Sequence, residues 1–143
     1  MSARRNRLRT SYIKRMFHKD DDAVEDAFQA ANNYWVSLHT ADPGLDGDQD
    51  TNEATYGGYA RVSVAISANN WTISGDDQVY PTAAVQFAQC TSDVNQAITH
   101  YGIGLSQTGS GTLLWAFTLV VARTVVLDYQ PNFPAGSLTT TVT

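Results

Sequence analysis

The chain has 143 residues, 43% of them hydrophobic, with one cysteine, three histidines and a formal net charge of −5. That length suits one compact domain; a lone cysteine excludes an internal disulfide and fits assembly in a reducing compartment, and no stretch approaches the roughly 18 uninterrupted apolar residues of a membrane span. Charge is segregated along the chain: Arg4, Arg5, Arg7, Arg9, Lys14, Arg15 and Lys19 are seven of its nine cations, and all fourteen carboxylates follow them.

Such asymmetry marks a tail that meets an acidic surface or nucleic acid while an acidic body stays soluble, although a basic run is also compatible with a solvated helix. Between Arg4 and Lys19, Leu8, Tyr12, Ile13, Met16 and Phe17 recur at helical spacing, which predicts an amphipathic helix with one basic face. The segment has no apolar core of the kind a secretory signal carries. Asp22 and Glu25 have capping-box spacing before Val24, Ala27, Phe28 and Ala31, a second short helix ended by Asn32-Asn33. Residues 1–33 therefore read as a basic helical arm and 34–143 as the body.

The hydrophobic period changes to two at Tyr34, Val36 and Leu38, the signature of a strand with one buried face. Residues 41–58, rich in Asp, Gly, Asn and Thr, read as a long surface loop. A strand resumes at Tyr59, with Val62, Val64 and Ile66 sharing a face. Further strands are predicted over 71–73, 83–88, 97–105, 112–119, 123–127 and 137–142, with Gly109-Ser110-Gly111 as a hairpin turn. Short strands without intervening helices predict a mainly β body, an antiparallel sandwich or a jelly-roll-like domain.

Few residues carry recognisable chemistry. Cys90 with His39 or His100 is the only nucleophile and base combination to consider, and a buried structural cysteine outweighs it. The alternating Asp46, Asp48 and Asp50 form a weak calcium candidate, but the sixth position of the corresponding EF-hand loop is Thr51 and the twelfth is Gly57, where Gly and Glu are required. Phosphate-binding and dinucleotide loops are absent from the sequence. The Asn70-Trp71-Thr72 sequon reads as accidental in a chain without a secretory signal. No enzyme, metal or cofactor is expected. Tyr56 and Tyr59 join the basic residues as candidate contacts if they are exposed, and packing within their own loop is a reading of at least equal weight.

The segment from Tyr34 to Gly44, with Leu38-His39-Thr40-Ala41-Asp42-Pro43-Gly44 at its centre, is followed by Thr51-Asn52-Glu53 and by Tyr56-Gly57-Gly58-Tyr59-Ala60-Arg61-Val62. Together with Ile98-Thr99-His100-Tyr101-Gly102-Ile103, Leu113-Leu114-Trp115 and Phe133-Pro134-Ala135-Gly136, it resembles a family of small tailed-bacteriophage virion proteins over residues 34–140. Members are tail-fibre or other structural components, and the resemblance implies a non-enzymatic subunit assembled in the host cytoplasm into the virion.

Two roles fit that resemblance. The first and favoured one is a capsid cement or decoration subunit, anchored by its basic arm to the major capsid protein or another virion protein, with several copies acting together. The alternative is a tail, neck or fibre adaptor built as a homo-oligomer. A nucleic-acid partner is the least favoured, because the acidic body would repel phosphates.

Overall fold

The computed structural model describes residues 13, 16–17, 32–44, 46–75 and 77–141. Nine strands follow one another: β1 (Asn33–His39), β2 (Val62–Ala65), β3 (Trp71–Ser74), β4 (Gln78–Pro81), β5 (Val85–Gln86), β6 (Gln96–Gly104), β7 (Leu113–Val125), β8 (Asn132–Phe133) and β9 (Thr140–Thr141). They form a four-stranded sheet in the order β2-β1-β6-β7, a three-stranded sheet β3-β4-β9 and a pair β5-β8. All pairings are antiparallel.

The period-two pattern of β1 explains the packing. Tyr34, Val36 and Leu38 are all buried, and the register sets Val36 opposite Ile103 and Leu38 opposite Tyr101, so one face of the large sheet is continuous apolar surface. Two adjoining clusters cover it. Val36, Leu38, Ile98 and Tyr101 pack with Val85 and Phe133 of the β5-β8 pair and with Phe87, Cys90 and Leu138. Tyr34 and Ile103 pack with Trp71 and Val79 of the β3-β4 sheet and with Ile13, Met16 and Phe17. The body is thus an antiparallel β-sandwich in which one sheet faces two smaller ones.

Ile13, Met16 and Phe17 are helical and buried, as the amphipathic spacing predicts. The Phe17 ring stands edge-on to Tyr34 at 5.1 Å and to Trp71 at 4.7 Å, and the Tyr34 hydroxyl donates to the Met16 carbonyl at 2.7 Å. The remainder of the predicted basic helix and the second helix lie outside the described residues.

Three expectations change in detail. The strands expected over 112–119 and 123–127 are one strand, β7, interrupted by a wide irregularity: His100 pairs with Thr118 while Ile98 pairs with Arg123, so three surplus residues bulge from β7. Leu119 is drawn into the core while Val120 and Val121 project outward, which breaks the alternation that sequence reading relies on. Strands β4 and β8 are additional, and the strands expected over 83–88 and 137–142 contract to two residues each.

The segment 41–58 is the third difference. Read as a surface loop, it contains buried Gln49, Ala54 and Tyr56 and folds back over the polar face of β1 and β6. Backbone bonds from Thr40 N to Asn52 O and from Ala54 N to Leu38 O, both 2.8 Å, fasten it to β1. Gly104 permits the approach, since a β-carbon there would overlap the Gln49 side chain. The Gln49 amide oxygen accepts from Ser106 N at 2.8 Å, so a polar side chain is buried with its hydrogen bonding met.

Candidate functional site

The polar face of the large sheet and the segment over it gather His39, Glu53, Tyr59 and Arg61. Ser37 and His39, two residues apart on β1, point to the same face, and both are fully buried. His39 Nδ1 lies 2.8 Å from the Thr51 carbonyl, which can only accept, so Nδ1 carries the proton and Nε2 accepts from the Ser37 hydroxyl at 2.8 Å. Gly102 completes the pocket wall, because any β-carbon there would press on Ser37 Oγ and His39 Nε2.

A serine bonded to a histidine oriented by a third group is the geometry of an activated nucleophile. Here the pair is sealed beneath the 41–58 segment with no exposed surface, and its hydrogen bonds serve to fix the loop on the sheet. Burial lowers the His39 pKa from 6.5, outweighing the opposing effects of the Thr51 carbonyl and of Glu53; Arg61 and His100 push the same way as burial. The folded state therefore holds the ring neutral. Above about pH 6.5 this has no cost, but as pH falls below that value the unfolded chain takes up a proton that the folded chain resists, and stability declines. The expected result is a melting temperature that drops with acidification below about pH 6.5, with a shallower drop in His39→Gln; equal slopes for the two proteins would show that His39 does not contribute.

Beside this pair lies an ion pair eight residues apart in sequence. Arg61 Nε and Nη2 donate to the two Glu53 carboxylate oxygens at 2.7 Å each. Arg61 Nη1 donates to Ser106 O at 2.9 Å and Nη2 also to Gly109 O at 2.6 Å. The Tyr59 hydroxyl donates to Glu53 Oε1 at 2.7 Å and accepts from Leu38 N at 3.0 Å. A planar guanidinium suits this four-bond task. The bond to Glu53 raises the Arg61 pKa, and burial raises that of Tyr59. The cluster ties β1, the 41–58 segment and the β6–β7 turn together.

The predicted site residues divide accordingly. Arg4, Arg5, Arg7, Arg9, Lys14, Arg15 and Lys19 lie outside the described residues. Tyr56 and Tyr59 take the loop-packing alternative: their rings meet edge-on at 5.4 Å, Tyr59 is half-buried, and Tyr56 is 2% exposed and donates to Ala88 O, with burial pushing its pKa up to about 12. Their aromatic character suits the lining of a closed loop as well as an interface, and composition alone does not separate the two. Asp46, Asp48 and Asp50 are exposed, and among the described residues no three His, Cys, Asp or Glu side chains converge to hold a metal ion. Cys90 is buried with its Sγ 3.2 Å from Ser92 O, and His100 contacts Thr99 and Thr118, so neither histidine meets the thiol.

The polar groups of this face are committed to one another, and by its family match this chain is a structural protein of the bacteriophage virion. Residues 22–141 match the family described as podophage GP4 fiber I protein gp80, and the chain belongs to that family. No curated protein matches it.

Proposed function

We propose that the protein is a non-enzymatic fibre subunit of a podophage virion, whose sandwich is the rigid body and whose Arg4 to Lys19 segment attaches it to an acidic surface of the major capsid protein or another virion protein. The observation that carries this reading is the family match, which spans residues 22–141 and bears the description of a fibre component. The segregated charge supports the anchor, and the burial of Ile13, Met16 and Phe17 against Trp71 and Tyr34 supports a segment held firmly on the body it anchors. A cement subunit would use the same anchor over the whole shell; the fibre description favours an appendage.

Changing Arg4, Arg5, Arg7 and Arg9 together to Ser is expected to reduce the copies of the protein incorporated per virion severalfold while its melting temperature stays the same. An unchanged copy number would remove the anchor from the proposal. Gold-labelled antibody on intact virions is expected at discrete appendages, and uniform decoration of the shell would replace the fibre role with the cement role.

A further inference from the structure

We propose that the cavity beside the bulge of β7 receives the acidic turn Asp46-Gly47-Asp48 of a second copy of this chain, joining copies head to tail. The bulge builds the cavity. Three surplus residues between Thr118 and Arg123 break the ladder to β6, so regular backbone pairing stops here and recognition falls to side chains. Leu119 turns into the core, Val120 and Val121 project with 93% and 66% of their surface exposed, and against Phe133 and Ser137 they leave a cavity of about 330 Å³ with Arg123 in its wall.

The cavity calls for a carboxylate. Of the two arginines among the described residues, Arg61 is spent on Glu53, whereas Arg123 lies 5.5 Å over the Phe133 ring with a buried Nε that has no hydrogen-bond partner. The ring holds the guanidinium in place, and a carboxylate is the ligand that its planar fork matches. The exposed large hydrophobic residues among the described ones, Val120, Val121, Val126 and Leu127, all flank Arg123. A patch of that kind marks a protein contact, and an apolar rim that excludes water strengthens the ion pair it surrounds.

Charge complementarity identifies the occupant. Asp46 and Asp48 are exposed on either side of Gly47, where the turn is narrow and pinned. A β-carbon at Gly47 would overlap Pro43 O, Gly47 N donates to Gly44 O at 3.4 Å, and Asp48 N donates to Thr51 Oγ1 at 3.0 Å. Such a tip loses little freedom on docking. It does not fill the cavity of its own chain, because Gly44 and Gly47 border β7 at Leu113–Ala116, whereas the cavity opens beyond Thr118. Leu113 pairs with Gly104 and Arg123 with Ile98, a separation of about 20 Å along β6 at about 3.3 Å per residue. A ligand at one end of the strand and its receptor at the other make a heterologous contact, which repeats into a ring or a filament. Because the net charge of the chain is −5, copies repel in most other orientations, which favours this one.

The test is the mass of the full chain in solution by light scattering and sedimentation. At about 100 µM, where an affinity in the micromolar range populates complexes, the parent is expected to exceed the 15.6 kDa of one chain. Arg123→Gln, which removes the receptor, and the double variant Asp46→Asn and Asp48→Asn, which removes the ligand, are each expected to be monomeric with the parent's circular dichroism spectrum. Val121→Glu, which sets a like charge on the exposed rim, is expected to behave as Arg123→Gln does and keeps the test open if loss of the arginine harms the fold. Mixing the receptor variant with the turn variant restores one contact per pair, since the first keeps its turn and the second its cavity. The mixture is therefore expected to form a species of two chains that grows no further. A monomeric parent, a mixture that stays monomeric, or receptor variants that associate as the parent does would each overturn the proposal. None of these outcomes bears on virion location, so the fibre role and this interface stand or fall separately.

Discussion

Replacing Arg61 by Met is expected to lower the unfolding free energy by about 3–5 kcal/mol, the range for removing one partner of a buried ion pair. The Arg61 and Glu53 side chains are 2% and 13% exposed. Deletion of the guanidinium leaves the Glu53 carboxylate with the Tyr59 hydroxyl but without its cation, and the Ser106 and Gly109 carbonyls without their donor. Arg61→Lys should restore little, since an ammonium cannot span both carboxylate oxygens and two carbonyls at once. Glu53→Gln should cost less than Arg61→Met, because a neutral amide can still accept from Tyr59. Urea unfolding of the three variants checks the order. A loss of under about 1 kcal/mol for Arg61→Met would mean that the pair behaves like a solvated surface contact.

Phe17→Ala is expected to have a comparable effect, about 3–5 kcal/mol, from the cavity left by a fully buried ring. That ring lies within 5.3 Å of the centroids of Tyr34, Trp71 and Trp115. Tryptophan fluorescence offers a second readout, as two indoles border the site and should shift to the red when water or mobile side chains replace the phenyl group. A minor loss without a spectral change would show that the segment around Phe17 contributes nothing to the body's core, and would weaken the proposed anchor with it.

How much of this was legible depends on how far each interaction reaches along the chain. Strands β1 and β6 were readable because their alternation is local and their apolar faces meet in register. Helical spacing likewise marked Ile13, Met16 and Phe17 as one face, and all three are buried. Strands β4 and β8 were not legible: they are two to four residues long and touch Pro81 and Pro134, so neither period nor propensity has room to register. The bulge in β7 hid the continuity of the strand in the same way, since three surplus residues erase the alternation.

The polar cluster illustrates the other limit. Gln49 and Glu53 sit in a segment whose composition reads as exposed and Arg61 on the polar face of a strand, yet Gln49 and Arg61 are buried and Glu53 is half-buried, because carbonyls and amides distant in sequence meet their hydrogen bonds. Only the three-dimensional path of the 41–58 segment brings Thr51 onto His39 and Glu53 onto Arg61. Of the two readings open for Tyr56 and Tyr59, packing within the loop describes their positions, because the loop that carries them closes over Ala88 and Leu38.

The burial of Cys90 gives the protein a built-in reporter. It is the chain's one cysteine and has no exposed surface in the cluster beneath β5 and β8, so a thiol reagent in solution reaches it only when that part of the core opens. Alkylation rate then measures the opening equilibrium of the native protein directly, at one defined position and without an added probe. Compared between free subunits and intact particles, the same rate records whether assembly tightens this half of the sandwich.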